Sequence, residues 1–179
     1  MKKISFQKAV LFAALLIIAT FSLSSCKWLQ SFLRPDPEEG AKTVRVFIVD
    51  AYAVGLDAEK NTLPEGAAAL TFEHETEALY GYAVLSELSD AGKLSFTGTV
   101  SAYGLFFDTL QGLTLNPETN GYVAIYLRLA DDSFNDVLMD KEWSKPVVYG
   151  GKTYYSSNLG ISSIPLSDGI ELLFIKGTY

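Results

Sequence analysis

The chain of 179 residues has one cysteine, Cys26, and one histidine, His74. A single thiol closes no disulfide within its own chain, so a folded domain must stand on packing alone. One imidazole leaves no Cys/His metal spacing, no glycine-rich phosphate loop is present, and no Ser-His-Asp set can be marked out beyond His74. Paired carboxylates perform glycoside chemistry, but nothing distinguishes one pair among 21 acidic residues. The sequence therefore reads as a non-enzyme, with no catalytic residue, no resident cofactor and no metal site. Long apolar runs are missing too. The greasiest stretch, Ala9 to Phe21, falls short of the roughly 20 residues that a helix needs to cross a bilayer core.

Positive charge is concentrated at the front. Lys2, Lys3 and Lys8 precede the apolar run, and Ser22 to Ser25 are small or polar apart from Leu23. That order is the order of a secretory signal peptide. The stretch Leu23-Ser24-Ser25-Cys26 resembles the bacterial lipobox, which implies acyl chains such as palmitate on the Cys26 sulfur and cleavage before it. Each buried acyl CH₂ adds roughly 0.8 kcal/mol of membrane affinity, so several chains hold firmly. Residues 1–25 are read as a lipoprotein signal peptide. Residues 26–41, with Pro35, Pro37, two glutamates and Gly40, are read as a flexible tether, and 42–179 as one domain. The expected location is the bacterial cell envelope, lipid-anchored and extracytoplasmic.

Three of the 14 Lys and Arg lie before Cys26 and none of the 21 acids does. The chain from Cys26 onward thus carries 11 against 21, a formal net charge of −10. Nucleic acids and anionic headgroups attract basic patches, so neither is an expected partner except through the lipid.

Along the domain, Val44 to Val49 (VRVFIV) is a β-branched run that predicts a strand, and Gly55 to Gly66 a loop. Ala67 to Glu73 predicts a second strand, although AAAL also tolerates a helix. Ala78, Leu79, Tyr82, Leu85 and Leu88 follow helical spacing, which predicts an amphipathic helix over Glu77 to Ala91. Gly104 to Leu110 and Tyr122 to Leu129 predict strands. The latter alternates an apolar face with an aromatic-polar one. Asp131 to Ser144 reads as a long acidic loop. Val147 to Tyr149 and Thr153 to Tyr155 flank Gly150-Gly151 as a hairpin, and Ser167-Asp168-Gly169 turns into a closing strand, Ile170 to Ile175. The pattern is α+β, a sheet with one packed helix.

The segments YGYAVLSELSDAGKLSF, SAYGLFFDTLQGLTLNP, NGYVAIYL and SDGIELLFI follow one another from Tyr80, after the initial strand VRVFIVD. This order resembles the bacterial transcobalamin C-terminal-like domain, domain of unknown function 4430, over nearly all of residues 42–179. The resemblance implies a β-grasp-like mixed sheet in exported, often lipid-anchored proteins. It also makes a corrinoid or another flat molecule a candidate ligand. Val123 stands where family members often have tryptophan, and Leu129-Ala130-Asp131-Asp132 replaces their asparagine-glycine turn.

Three groups offer candidate sites. His74, in FEHETE, is either an axial ligand for a corrinoid cobalt or, the commoner case, a surface histidine among glutamates. Asp131, Asp132, Asn135, Asp136 and Asp140 lack the Asp-x-Asp-x-Asn-Gly rhythm of a calcium loop and read as a solvated acidic loop. The aromatics Tyr103, Tyr122, Tyr126, Trp143, Tyr149, Tyr154 and Tyr155 carry most interest, because Tyr and Trp present flat apolar faces with a polar edge. Either they cover one face of the sheet as core, or Tyr103, Tyr122, Tyr126, Trp143, Tyr154 and Tyr155 bind a ligand. The expected function is non-catalytic binding of a small ligand or polymer at the cell surface. The alternative is an interaction or adhesion module with a protein or cell-wall partner.

Overall fold

The computed structural model describes residues 35–51, 61–101, 104–111, 113–114 and 121–178. Cys26, the signal segment, Tyr103, Gly112 and residues 55–60 of the loop expected at 55–66 lie outside them. The chain divides into two compact units, Met1–Pro35 and Asp36–Tyr179, and the second contains every strand and helix named below. Residues 38–41, expected in the tether, are bonded into this second unit. The Glu38 N–H donates to the Leu166 carbonyl at 2.9 Å, and the Glu38 carboxylate accepts from the Asp168 N–H at 2.8 Å. The buried Lys42 ammonium donates to the carbonyls of Gly40 and Ala78.

Among the described residues, ten strands fall into two sheets. The larger contains β1 (Lys42–Asp50), β2 (Ala68–Thr76), β6 (Gly121–Arg128), β7 (Met139–Asp140), β8 (Val147–Tyr149), β9 (Lys152–Ser157) and β10 (Glu171–Thr178). Its order is β2-β1-β10-β6-β9-β7, with β8 paired to β9. The first and last strands, β1 and β10, run parallel at its centre, from Arg45 opposite Glu171 to Asp50 opposite Lys176. The other pairings are antiparallel. The smaller sheet is β3 (Phe96–Ser101), β4 (Gly104–Leu110) and β5 (Leu113–Thr114). The helix α1 (Gly81–Asp90) follows β2. This is a mixed sheet with a packed helix, an α+β arrangement.

Alternation along β1 assigns its side chains to two cores. Val44, Val46 and Ile48 join Val84, Leu85 and Leu88 of α1 and Leu172 and Phe174 of β10 in one buried cluster. Val49, Leu173, Ile175, Tyr154, Val147 and Leu63 form a second, with Phe47, Tyr126 and Tyr149 packed against it. The sheet is thus covered on both faces, which explains unbroken apolar runs such as Leu172 to Ile175. The aromatic-polar face expected for β6 in fact contributes to this second core through Tyr126.

The helix begins four residues later than its periodicity predicts. Tyr80 is extended, with φ −132° and ψ 152°. It is held so by tertiary pairing: the Leu79 carbonyl accepts from the Leu166 N–H and the Gly81 N–H donates to the Ile164 carbonyl. Leu79 has the right spacing, but its carbonyl is already taken. At the other end Gly92 has φ +68°, and the Lys93 N–H reaches back to the Leu88 carbonyl at 2.9 Å, a Schellman ending. Strand β3 (FTGTVS) is not predicted by the sequence pattern.

Candidate functional site

The face of the sheet away from α1 carries the polar and aromatic groups. Register alone sets three charges in a row across it. Arg45 of β1 lies opposite Glu171 of β10, which lies opposite Arg128 of β6. Glu171 has 0% exposure, and both its oxygens are fully engaged. Oε1 accepts from Lys152 Nζ at 2.7 Å and from the Arg45 guanidinium at 3.3 Å, and forms an ion pair with the Arg128 guanidinium at 3.3 Å. Oε2 accepts from the Tyr154 hydroxyl at 2.5 Å. Arg45 also pairs with Glu73, and Arg128 with Asp132, so the outer cations have carboxylates of their own.

Burial pushes the Glu171 carboxyl up, but donation from Lys152 and Tyr154 and the charges of Lys152 and Arg128 outweigh it. The net result lies below the usual glutamate value. The Tyr154 phenol is pushed well up, first by burial and then by its hydrogen bond to Glu171 and the carboxylate charge.

Beside this network lies a recess of about 210 Å³. Phe47, Tyr149 and Tyr154 form its aromatic wall, with Lys152 next to them and Glu65, Gly66 and Gly150 around the rest. The Phe47 and Tyr149 rings meet edge to face, 5.6 Å between centroids at 73°, and Phe47 meets Tyr154 at 6.3 Å and 81°. The β8–β9 turn positions Tyr149 and Lys152. Gly150 and Gly151 have φ +57° and +73°, the pair of positive values that a tight two-residue hairpin demands. The segment from Asn61 brings Glu65 and Gly66 to the recess. The Leu63 N–H donates to the Val148 carbonyl, the Val148 N–H to the Asn61 carbonyl, and the Asn61 amide to the Pro146 carbonyl at 2.7 Å.

Of the six tyrosines and tryptophans expected to bind, the recess contains Tyr154, at 1% exposure, its ring edge-on to Phe47. Tyr126 packs on the second core without lining the recess. Tyr155, one residue from Tyr154, points to the opposite face, against Phe134 at 4.9 Å and the first core. Tyr122 is half-buried on β6, opposite Gly177. Trp143 stands 91% exposed in the acidic loop, and Tyr103 lies outside the described residues. Phe47, Glu65, Lys152 and Glu171 escape sequence reasoning. The available signals were the period-2 pairs Arg45/Phe47 and Lys152/Tyr154, and one acid at the start of an otherwise apolar closing strand.

The acidic loop spends its oxygens on its own backbone. Asp131 Oδ1 accepts from the Ser133 N–H, Asn135 Oδ1 from Val137 and Leu138, and Asp140 Oδ1 from Glu142 and Trp143. Among the described residues no three His, Cys, Asp or Glu gather where they would hold a metal ion. His74 meets Glu87 of α1 at 2.7 Å.

Fold and recess define an α+β protein with a two-sided mixed sheet and a small aromatic hollow on its helix-free face. No family model matches the chain, and no curated protein matches it. Among solved structures it is similar to a protein from Ruminococcus gnavus ATCC 29149 described as a candidate metal-binding protein. That likeness has 17% identity and a TM-score of 0.47, covering 77% of this chain and 98% of that one. It is also similar to haptocorrin in complex with cobinamide, at 14% identity and a TM-score of 0.45, covering 79% of this chain. The match spans only 26% of the haptocorrin chain. Neither likeness transfers a residue or a ligand.

Proposed function

We propose that this chain is a non-catalytic binding lipoprotein of the bacterial cell envelope, anchored on the extracytoplasmic side by acyl chains on Cys26. Its domain is read as β-grasp-like, of the transcobalamin C-terminal-like kind, and its recess takes a small ligand or one ring of a polymer. The observation that carries the reading is the recess itself, walled by Phe47 and Tyr149 and flanked by the partly exposed Lys152. Its volume of about 210 Å³ lies below the roughly 300–1,000 Å³ of pockets that enclose drug-sized ligands. A corrinoid would rest across this hollow and not inside it, whereas a single six-membered ring is of suitable size.

The test is thermal denaturation of the full chain in neutral detergent with corrinoids, haem, glycans and calcium. A ligand of the native state at 100 times its dissociation constant adds about 2.7 kcal/mol of stability. A raised Tm with one class, lost in Tyr149→Ala, supports the recess; no shift with any class rejects the small-ligand reading.

A second reading, an interaction module for a protein or cell-wall partner, is favoured by exposed apolar side chains elsewhere. Trp143 is 91% exposed, Val100 72% and Phe106 58%. Aromatic side chains such as Trp143 and Phe106 are enriched at partner interfaces.

A further inference from the structure

We infer that the recess selects an acidic sugar, a hexuronate ring standing alone or within a polysaccharide, with Lys152 receiving its carboxylate. The inference rests on the recess being the binding site. Lys152 is the cation that can be spared. An ammonium carries three N–H donors, and among the described residues the one acceptor paired with Lys152 Nζ is Glu171 Oε1, at 2.7 Å. Its side chain is 40% exposed and lines the recess. Drawing it toward a ligand does not strand the buried carboxylate, because Glu171 keeps Tyr154, Arg45 and Arg128. Those arginines are committed to Glu73 and Asp132 as well, so Lys152 is the donor left to meet a new anion.

The rest of the recess selects a sugar over other anions. The angled Phe47 and Tyr149 rings offer apolar faces to the C–H side of a pyranose. Glu65, an exposed acceptor, suits the hydroxyl groups of a sugar, whereas an aryl carboxylate offers it no donor. Gly66 and Gly150 put bare backbone at the hollow, with open space where a Cβ would stand. Salt is a poor probe of this contact. Added ions screen the attraction to Lys152 but also the repulsion from a mature chain of net charge −10. Substitution separates the two.

The experiment titrates the ¹⁵N-labelled full chain, in neutral detergent, with trigalacturonate, with neutral maltotriose and with benzoate, following backbone amide signals. Trigalacturonate is expected to shift the Gly66, Gly150 and Gly151 amides saturably, and maltotriose to bind about 10- to 100-fold more weakly, the range for a hydrogen bond to a charged group. Lys152→Gln should lose the same factor with Tm lowered by only a few degrees, and Lys152→Arg should retain binding. Equal affinity for trigalacturonate and maltotriose overturns the acidic selectivity and leaves the recess reading standing. Benzoate binding as tightly at the same glycines overturns the sugar assignment. No shift at those glycines with any of the three, while a ligand from the thermal panel binds there, also overturns the inference. Silence from both panels removes the recess reading itself. If Lys152→Gln fails to fold, the comparison of the two trisaccharides decides alone.

Discussion

Glu171 is the residue on which the helix-free face depends. Three cations and a phenol converge on one sealed carboxylate, so its loss is felt unequally by its partners. Arg45 and Lys152 reach water, but the Arg128 side chain is 11% exposed and keeps only Asp132. Removing one partner of a buried ion pair costs roughly 3–5 kcal/mol, and the partial exposure of two cations places Glu171→Ala at the low end, about 3 kcal/mol, read from denaturant unfolding. Lys152→Gln should cost about 1 kcal/mol, because Glu171 keeps its other donors. A smaller loss for Glu171→Ala than for Lys152→Gln would show that the carboxylate is not the hub.

The pH dependence follows from the same group. The folded-state value of Glu171 is depressed, so its contribution is present above the unfolded glutamate value of about 4.3 and is lost as pH falls through the lower folded value. Tyr154 is the reverse case: raised in the fold, it stabilises fully below the ordinary phenol value of about 10 and loses that contribution as pH climbs through the raised one. Stability measured from pH 6 down to 2 should fall, and Glu171→Gln should flatten that limb. An unchanged acid limb in the variant would contradict the assignment. The sequence held only local hints of this network, such as the pair Lys152/Tyr154 and the one acid that opens the closing strand. Arg45, Arg128, Lys152 and Glu171 lie far apart in the chain, and only the strand register brings them together. Tyr154 and Tyr155 looked equivalent as neighbours, yet a strand sends them to opposite faces.

At the scale of elements, what was legible was local. The hairpin of β8 and β9 announces itself through Gly150-Gly151, and β1, β4 and β10 through their apolar runs. The start of α1 was not, because Tyr80 is held extended by the segment near Ile164 and Pro165, more than 80 residues downstream. Strand β3 was hidden for a different reason. Its FTGTVS has one glycine and two threonines where a clean alternation would sit, and the glycine marks an irregularity in the pairing with β4 between Thr97 and Gly98. A Cβ at Gly98 would stand 2.8 Å from Leu105 Cδ1 and closer still to the Phe106 carbonyl oxygen, which is backbone and cannot step aside cheaply. Gly98→Ala is therefore expected to cost about 2 kcal/mol, within the usual range for forcing extra atoms into packed structure. Amide hydrogen exchange should quicken across β3 and β4 while β1 and β10 keep their protection. Uniform loss across both sheets would mean that the small sheet is not a separate unit of stability.

For the whole molecule, the doubly covered sheet changes where recognition can occur. Tyr126 and Tyr154, two of the six aromatics read as either sheet covering or ligand contacts, are taken up by a second core, and an open hollow lies beside Tyr154. On the proposed envelope reading, attachment at a membrane rests on the N-terminal segment. From Cys26 onward the chain carries a formal net charge of −10, which is repelled by anionic headgroups. In that reading the acyl chains proposed on Cys26 supply the affinity, roughly 0.8 kcal/mol for each buried CH₂. Release on losing them should therefore be complete, not partial. Cys26→Ser, expressed in a bacterium with radiolabelled palmitate, is expected to incorporate no label and to retain residues 1–25, so its mass should exceed that of the wild-type polypeptide by the leader. The same Cys26→Ser chain, with residues 1–25 exchanged for a non-lipoprotein secretion signal, should appear wholly in the soluble fraction, with the same Tm as the anchored protein. Persistent membrane association of that version would point to a second attachment surface on the domain, with exposed Trp143 the first residue to substitute.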